Sequence, residues 1–188
     1  IGSDINRQLL SYAPRLLIGV NQAATPVAAL ALSLEEHVAA GVLHPVVGDV
    51  KDAGKMRRLF EQYRPAYVFH AAAYKHVPVM ERFPEEAVGV NIGGTKVVAD
   101  LARAFGAQKF VMISTDKVVN PGNVMGASKR IAEIYVQTLN RMPGHDTRFI
   151  TTRFGNVLGS NGSVIPIFRK QIQRRQPVTV THPEVTRF

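Results

Sequence analysis

The chain has 188 residues, of which 46% are hydrophobic and 20% are charged, so it can bury one ordinary core and is not a disordered tail. It contains no cysteine, which excludes disulfides, thiolate metal ligands and cysteine nucleophiles. The longest apolar stretch, residues 23–34, is too short to cross a bilayer, and the first residues carry no signal-peptide pattern.

The formal net charge of +9 arises entirely in the second half of the sequence. Residues 1–100 contain ten Lys or Arg and ten Asp or Glu, whereas residues 101–188 contain thirteen and four. This excess favours an anionic partner, which could be nucleic acid, an acidic membrane surface or a phosphorylated small molecule. On charge alone, a solvated basic face is the simpler interpretation.

Short aliphatic runs alternate with longer helical patterns, which predicts an α/β fold with a doubly wound parallel sheet. In chain order the predicted elements are a helix at 3–12, a strand at 15–20, a helix at 27–40, a strand at 43–47, a helix at 53–63, a strand at 66–71, a helix at 85–105, a strand at 109–114, a helix at 124–140, a strand at 148–153 and a helix at 164–174.

The two ends of the sequence lack the elements with which such a domain usually begins and closes. A doubly wound domain opens with a strand and a glycine-rich turn, whereas this chain opens with Ile-Gly-Ser and enters a predicted helix. Gly2 fits the last glycine of that turn, where a missing Cβ lets helix and strand pack closely. We therefore expect a fragment, truncated before the first strand and before the C-terminal substrate-binding part. The strand pair near residues 15 and 43 and the strand near residue 66 would then lose the partner between them.

Two clusters follow predicted strands. The first, HAAAYKH at residues 70–76, offers small side chains where a flat ligand can approach the backbone, although a tight strand–helix turn explains it equally well. The second, STDK at residues 114–117, combines two hydroxyls, a carboxylate and an ammonium, which suit general acid and base chemistry. A surface ion pair is the alternative for the second cluster, and its position at a strand end favours a site.

Six sequence motifs follow the order found in a known protein family. They are HAAAYKHV, NIGGT at residues 91–95, STDK, NPGNVMGASK, RFGNVLGSNGSV and HPEVTRF. The chain resembles the bacterial polysaccharide-biosynthesis nucleotide-sugar 4,6-dehydratases of the capsule and flagellin-glycosylation type, within the extended short-chain dehydrogenase/reductase superfamily. The resemblance implies a Rossmann-type domain over residues 1–188 that binds NAD or NADP, with a small substrate-binding portion beginning near residue 155.

The implied reaction is a lyase reaction on a UDP-N-acetylhexosamine, with UDP-N-acetylglucosamine as the leading candidate. The sugar is oxidised at C4, loses the C5 proton and then water from C6, and the hydride returns to C6, so the cofactor is regenerated. The resemblance also implies a cytoplasmic protein, or one anchored at the cytoplasmic face of the inner membrane through segments outside this chain. The implied partner is a UDP-sugar and not nucleic acid, and a homo-oligomer is left open.

The resemblance carries over to individual positions. Gly2 and Ser3 would lie at the cofactor pyrophosphate, Asp49 at the adenine, and Lys129 at the nicotinamide ribose. The remaining implied cofactor contacts are Val50, Ala71, Ala72, Ala73, Tyr74 and Asn91. The implied contacts of the nucleotide-sugar are Lys75, His76, Asn156, Ser160 and Arg187.

The STDK cluster would carry the chemistry. Ser114 and Thr115 would hold the C4 oxygen, Asp116 would protonate the departing C6 hydroxyl, and Lys117 would remove the C5 proton. Most of the superfamily has a tyrosine four residues before the lysine at the position of Lys129. Here that position is Met125, expected to face the cofactor cleft, so the C4 base must be another group.

Further features bear on the cofactor and on other functions. After the strand at 15–20, Asn21 stands where an acidic residue would bind the adenosine ribose, which leaves the choice between NAD and NADP open. The six histidines lack metal-binding spacing, so no metal site is predicted. The alternatives are a nucleotide-sugar epimerase or reductase, in which Asp116 and Lys117 would have no water to remove, and a non-catalytic basic module that binds nucleic acid.

Overall fold

The computed structural model describes residues 1–155, 157 and 164–180, and these divide into two compact units. The first unit, Ile1–Arg153, holds every described strand and all described helices except the last. The second unit, Phe154–Phe188, contains one described helix. Within the described part of the chain, each helix is too short or not apolar enough to span a bilayer.

The elements alternate between helix and strand along the chain. The strands are β1 Leu17–Asn21, β2 Leu43–Val47, β3 Tyr67–His70, β4 Lys109–Ile113 and β5 Arg148–Thr152. The α-helices are α1 Gly2–Leu10, α2 Ala24–Ser33, α3 Glu35–Ala39, α4 Ala53–Tyr63, α5 Val77–Arg82, α6 Pro84–Ala87, α7 Thr95–Ala104, α8 Val124–Arg141 and α9 Val164–Gln173. A π-helical segment spans Val88–Gly94, and a 3₁₀ turn spans Asp116–Val118.

All strand pairs are parallel, which confirms the predicted α/β fold class. β1 pairs with β2, with Leu17 opposite Leu43. β4 lies between β3 and β5, with Lys109 opposite both Tyr67 and Arg148. The first strand that the sequence analysis expects to be missing would lie between β1 and β3, and among the described residues no strand joins these two sheets.

The main core lies between the three-stranded sheet and helices α4, α7 and α8. Phe110 and Met112 alternate along β4 and are fully buried, and they pack in one cluster with Val98, Ala132 and Val136. Burying a side chain of the size of Phe110 contributes about 1.5–3 kcal/mol. A separate cluster of Leu10, Leu30 and Leu43 joins α1 and α2 to β2. The strand order and these helices fix which strand ends meet at the candidate site.

Several helical predictions were wrong in detail. The helix predicted at 27–40 is two helices, because Leu34 adopts φ −137° and ψ 34°, outside the helical range. The helix predicted at 85–105 contains the π-helical segment, whose glycine-rich sequence has low helical propensity. Helix α5 was not predicted. The close packing expected at Gly2 is not observed, since an added Cβ would meet no atom within 4 Å in the described structure.

Candidate functional site

The two clusters singled out in the sequence lie at the same edge of the three-stranded sheet. β3 ends at His70 and is followed by residues 71–74, and β4 ends at Ile113 and is followed by the STDK cluster. Because β3 and β4 are neighbouring parallel strands, their carboxyl ends point to one side of the sheet. In open α/β sheets this is the side on which ligands bind.

Asp116 is the centre of a hydrogen-bonded group at the end of β4. The hydroxyl of Thr115 donates to Asp116 Oδ1 at 2.8 Å, and Lys117 Nζ donates to the same oxygen at 2.9 Å. Partial burial raises the pKa of Asp116, but the hydrogen bonds from Lys117 and Thr115 outweigh it, and the pKa lies below its usual value. Asp116 is therefore ionised at neutral pH, with a hydroxyl and an ammonium directed at it.

Lys129 lies behind this group, on α8. It is only 4% exposed, and its Nζ donates to the carbonyl oxygen of Ile113 at 2.8 Å. Burial lowers the pKa of Lys129 to about 8, while the charge of Glu133 acts to raise it. The neighbouring Ser114 is buried, and its hydroxyl has no hydrogen-bond partner among the described residues. An ammonium and a hydroxyl donor are therefore held in a poorly hydrated position beside the reactive group.

Glu133 is a part of the site that the sequence reasoning missed. It lies one helical turn after Lys129 and is fully buried, with its carboxylate accepting from Arg153 at 2.6 and 2.9 Å and from Arg130 at 3.1 Å. Burial raises the pKa of Glu133, but the hydrogen bonds from Arg153 and Arg130, together with the nearby Ser114 hydroxyl, lower it below its usual value. The Lys129-x-x-x-Glu133 spacing places both side chains on one helix face and was the available signal.

The contact between the Ser114 hydroxyl and the Glu133 carboxylate falls short of a full hydrogen bond. The proximity of Ser114 contributes to the lowered pKa of the carboxylate, but the hydroxyl has no acceptor at full hydrogen-bonding geometry among the described residues.

Asn91 holds the turn after β3 against α8. Its Oδ1 accepts from the Tyr74 amide at 2.8 Å, and its Nδ2 donates to the Tyr74 carbonyl at 3.1 Å and to Ser128 Oγ at 2.9 Å. Asn91 is fully buried within the π-helical segment, so these bonds are shielded from water. Asn91 thereby connects Ser128, which directly precedes Lys129, to Tyr74, the last residue of the turn after β3.

His70 extends this network beneath the sheet edge. Thr95 Oγ1 donates to the Asn91 carbonyl at 2.7 Å, and so its oxygen accepts from His70 Nε2 at 2.9 Å. Complete burial, assisted by the positive charge of Lys129, lowers the pKa of His70 to about 3. His70 is therefore a neutral, structural histidine at physiological pH.

Two glycines permit close approaches around the site. A Cβ on Gly126, in the first turn of α8, would overlap the carbonyl oxygen of Lys117. A Cβ on Gly94 would lie 2.5 Å from Val50 Cγ2. Only glycine therefore lets α8 lie against the turn that carries Asp116 and Lys117.

Met125 does not face an open cleft, which corrects the sequence-based expectation. It is 3% exposed and packs with Met80 and Ala87, with Tyr74 and Val77 at the edge of that cluster. The reason is the unpredicted helix α5, which covers the first turn of α8. Glu81 of α5 even accepts the Val124 amide at 2.7 Å.

The other predicted cofactor residues lie at several strand ends. Asp49 and Val50 follow β2, and Asp49 Oδ1 accepts from the Lys51 amide at 2.9 Å. Asn21 ends β1, and the Tyr74 hydroxyl accepts from Gln22 Nε2 at 3.4 Å. These contacts bring the turns after β1 and β3 together.

The remaining predicted residues are less closely associated. Gly2 and Ser3 begin α1 and are exposed, and no described contact links them to the STDK cluster. Lys75 and His76 are exposed beyond the turn after β3. Asn156, Ser160 and Arg187 lie outside the described residues. Over the described ranges, no three His, Asp or Glu side chains are grouped so that they could hold a metal ion.

Curated relatives match all or most of the chain. The Probable polysaccharide biosynthesis protein EpsC of Bacillus subtilis is 48% identical over 192 residues, which cover 100% of this chain and 31% of EpsC. The inverting UDP-N-acetylglucosamine 4,6-dehydratase of Campylobacter jejuni is 42% identical over 76% of this chain and 42% of its own length. A UDP-glucose 4-epimerase of Rickettsia bellii is 42% identical over 76% of this chain and 41% of its own length. The chain thus spans less than half of each of these relatives.

Solved structures share the fold. Pen from Bacillus thuringiensis superposes with a TM-score of 0.87 at 33% identity, over 96% of this chain and 58% of Pen. DesIV of Streptomyces venezuelae, a dTDP-glucose 4,6-dehydratase with NAD bound, has a TM-score of 0.75 at 22% identity, over 93% of this chain and 59% of DesIV. At that identity the second likeness concerns the fold alone. It confirms the predicted Rossmann-like architecture.

The family comparison covers the chain from end to end. Residues 1–188 match the family described as polysaccharide biosynthesis protein. That match and the similarity to EpsC confirm the resemblance read from the six motifs. The chain belongs to the polysaccharide biosynthesis protein family.

Proposed function

We propose that this chain is the cofactor-binding and catalytic part of an NAD(P)-dependent nucleotide-sugar 4,6-dehydratase acting on a UDP-N-acetylhexosamine, with UDP-N-acetylglucosamine as the first candidate. The observation that carries the proposal is the Thr115–Asp116–Lys117 group at the carboxyl end of β4. Removing water from a sugar needs a proton acceptor at C5 and a proton donor at C6, and this group offers both functions in adjacent residues. The similarity to the Campylobacter jejuni dehydratase supports the same substrate class.

The chain's residues fit a dinucleotide. Ala71, Ala72 and Ala73 are half-buried and carry small side chains, which suits the close approach of a flat group, and Ser114 has a buried hydroxyl without a partner among the described residues. Lys129 would hold the nicotinamide ribose, Asp49 the adenine, and Gly2 with Ser3 the pyrophosphate. A bound NAD(P) would supply the hydride chemistry of the reaction, oxidation at C4 and reduction at C6 of the sugar.

The proton steps follow from the state of Asp116. Because Asp116 is ionised and accepts from Thr115, the proton of the C4 hydroxyl can pass to Thr115 while the Thr115 proton passes to Asp116. This pair replaces the tyrosine that is absent at Met125. Protonated Asp116 then supplies the proton to the departing C6 hydroxyl, so one carboxyl group acts first as base and later as acid.

Lys117 acts on C5. Its Nζ lies 2.9 Å from Asp116 Oδ1, so the proposed base and the proposed acid of the elimination stand side by side. The amine, after releasing its proton to solvent, removes the C5 proton and returns a proton to C5 in the closing step. Ser114 orients the C4 oxygen, and Asn156, Ser160 and Arg187 are proposed contacts of the nucleotide-sugar.

The second candidate is a nucleotide-sugar 4-epimerase, favoured by the similarity to the Rickettsia bellii enzyme. Epimerisation returns the hydride to C4, so Asp116 and Lys117 would have no elimination to catalyse. The two activities differ in the mass of the product: a dehydratase product is lighter by one water, whereas an epimerase product is unchanged.

The test is to incubate the intact protein with UDP-N-acetylglucosamine and NAD or NADP and to measure the product by mass spectrometry. We expect loss of one water, and we expect Asp116→Asn and Lys117→Gln each to reduce it by about a hundredfold or more. Cofactor binding, measured by calorimetry, should be unchanged in both variants. Lys55→Gln, which removes a half-buried cation on α4, is the matched control. A product of unchanged mass, or full activity in either variant, would refute the dehydratase proposal.

A further inference from the structure

Lys129 is buried without an ion-pair partner among the described residues. Its Nζ donates to the carbonyl oxygen of Ile113, which is a neutral acceptor. The carboxylate of Glu133, on the same helix, forms its ion pairs with Arg130 and Arg153 instead. Burial of an ammonium without a paired carboxylate favours the neutral amine, so another influence must favour the charge if Lys129 is to act as a cation.

Glu133 provides a negative charge one helical turn from Lys129. Its side chain is 0% exposed, and it is the one fully buried carboxylate in the described part of the chain. Arg153, which directly follows β5, donates to both carboxylate oxygens, and Arg130 donates to one of them. These bonds hold the carboxylate in place and keep its pKa below the usual value. Because residues four apart on a helix are neighbours, this fixed charge lies on the face that carries Lys129.

The other charged side chains on the elements packed against α8 are exposed or bonded to another group. They are Arg82 and Glu85, which are exposed, and Glu81, Glu86, Asp100 and Asp116, which bond to Val124, Lys51, Lys96 and Lys117 respectively. From the sheet, His70 is neutral and Arg153 is paired with Glu133. Apart from burial, the charge of Glu133 is therefore the influence that acts on the pKa of Lys129, which lies at about 8.

We propose that Glu133 is a positioning residue of the site, whose fixed buried charge keeps Lys129 protonated at neutral pH. This inference rests on the proposed function, in which Lys129 holds the nicotinamide ribose. As an ammonium, Lys129 can bond to the Ile113 carbonyl and still donate to a ribose hydroxyl, since it has three protons to donate. Arg130 and Arg153 act at one remove, by holding the carboxylate that stabilises the ammonium.

The test is an NMR titration of the lysine side-chain carbons in the intact protein without ligand, with the Lys129 signal assigned by its loss in Lys129→Met. Lys129 should titrate near pH 8 in the wild type. In Glu133→Gln, which keeps the volume and removes the charge, it should titrate about one pH unit lower or more. Glu61→Gln, which removes an exposed carboxylate on α4, is the matched control and should leave the titration unchanged.

A second variant separates this role from a purely structural one. Arg153→Gln breaks the same ion pair but leaves the carboxylate bonded to Arg130, so Lys129 should titrate near the wild-type pH. The double variant Glu133→Gln/Arg153→Gln leaves neither charge of the pair buried alone, and it decides the question if Glu133→Gln does not fold. Lys129 should again titrate at lower pH in the double variant. The proposal is overturned if Lys129 titrates at the wild-type pH without Glu133, or if Arg153→Gln lowers its titration as much as Glu133→Gln.

The pH dependence of the proposed dehydration gives the functional readout. The rate should fall on the alkaline side as Lys129 loses its proton, and in Glu133→Gln this fall should begin about one pH unit lower or more. An alkaline fall at the same pH in both proteins would overturn the proposal. The titration of Lys129 needs no turnover, so a wild-type protein that dehydrates no UDP-sugar refutes the proposed function, and the NMR titration still decides whether Glu133 keeps Lys129 charged.

Discussion

The ammonium of Lys129 donates to the main-chain carbonyl of Ile113 across 2.8 Å, which ties the first half of α8 to the last residue of β4. The bond places a buried positive charge directly before Ser114, at the start of the candidate catalytic cluster. Four residues further along the same helix, the carboxylate of Glu133 provides the compensating negative charge. The site is therefore organised by one helix that holds both charges beneath a strand end.

Lys129 should make the free energy of unfolding increase with pH in the alkaline range. Its pKa is about 8 in the folded protein and 10.5 in the unfolded chain, so below pH 8 both states bind the proton and the cost of burying the charge is present in full. Between these values the folded state releases the proton first, and stability rises with pH by up to about 1.4 kcal/mol per pH unit. Urea unfolding from pH 7 to 9.5 should show Lys129→Met losing that slope, while Lys55→Met keeps it. Parallel pH profiles for wild type and Lys129→Met would contradict the assignment.

His70 should make the protein acid-labile. Its pKa of about 3 in the folded state lies below the unfolded value of 6.5, so the unfolded chain takes up the proton first as the pH falls. Stability is then lost below pH 6.5 by up to about 1.4 kcal/mol per pH unit until the folded pKa is reached.

The matched comparison for His70 uses a second histidine. In urea titrations, His70→Asn should remove the contribution of His70 to the loss of unfolding free energy between pH 6.5 and 4, whatever the effect of the substitution on stability at pH 7. His37→Asn, on the short helix α3, should leave the slope unchanged. Equal slopes in both variants would show that His70 is not the responsible group.

Asn91 should contribute strongly to the stability of the protein. Asn91→Leu keeps the approximate volume but leaves the Tyr74 amide and carbonyl and Ser128 without their partner, so we expect a loss of about 2–4 kcal/mol of unfolding free energy. Asn140→Ala, which removes one bond to the Phe149 amide, is the comparison and should cost about 1 kcal/mol. A change at Asn91 no larger than at Asn140 would show that the turn after β3 is held by other contacts.

The sequence predicted those parts of the fold and site that depend on local pattern. The apolar run KFVMI predicted the strand, observed as Lys109–Ile113, and so predicted that STDK lies at a strand end. Partners that are distant in sequence were not predictable in this way. Asn91 bonds to the main chain of Tyr74, and a main-chain contact leaves no pattern in the sequence. Arg153 contacts Glu133 only because β5 lies beside β4. The burial of Met125 likewise depends on α5, whose six residues are too short for a clear period.

The burial of Met125 changes the expectation for a tyrosine at that position. A phenol is larger than the thioether and would enter the cluster with Met80 and Ala87, so Met125→Tyr should destabilise the protein by about 1–3 kcal/mol. Met125→Leu, which conserves volume, should cost less than about 1.5 kcal/mol. Thermal unfolding of both variants tests this, and a tyrosine variant as stable as the wild type would show that the position can open towards the cleft.

Gly126 should be intolerant of even one added methyl group. A Cβ there would overlap the Lys117 carbonyl oxygen, a main-chain atom that cannot move without shifting the 3₁₀ turn that carries Asp116 and Lys117. Ala is otherwise the better helix former, by about 1 kcal/mol, so a loss of stability in Gly126→Ala would have to come from this contact.

Gly122 supplies the matched control for that substitution. It lies four residues earlier, and a Cβ added to it would meet no atom within 4 Å in the described structure. Gly126→Ala should lower the rate of the proposed dehydration by tenfold or more, because a catalytic group displaced by about 1 Å can lose about 10²-fold in rate. Gly122→Ala should retain wild-type rate and unfolding midpoint. If Gly126→Ala is as stable and as active as Gly122→Ala, the helix and the turn can separate without consequence, and close approach of α8 is not what positions Asp116 and Lys117.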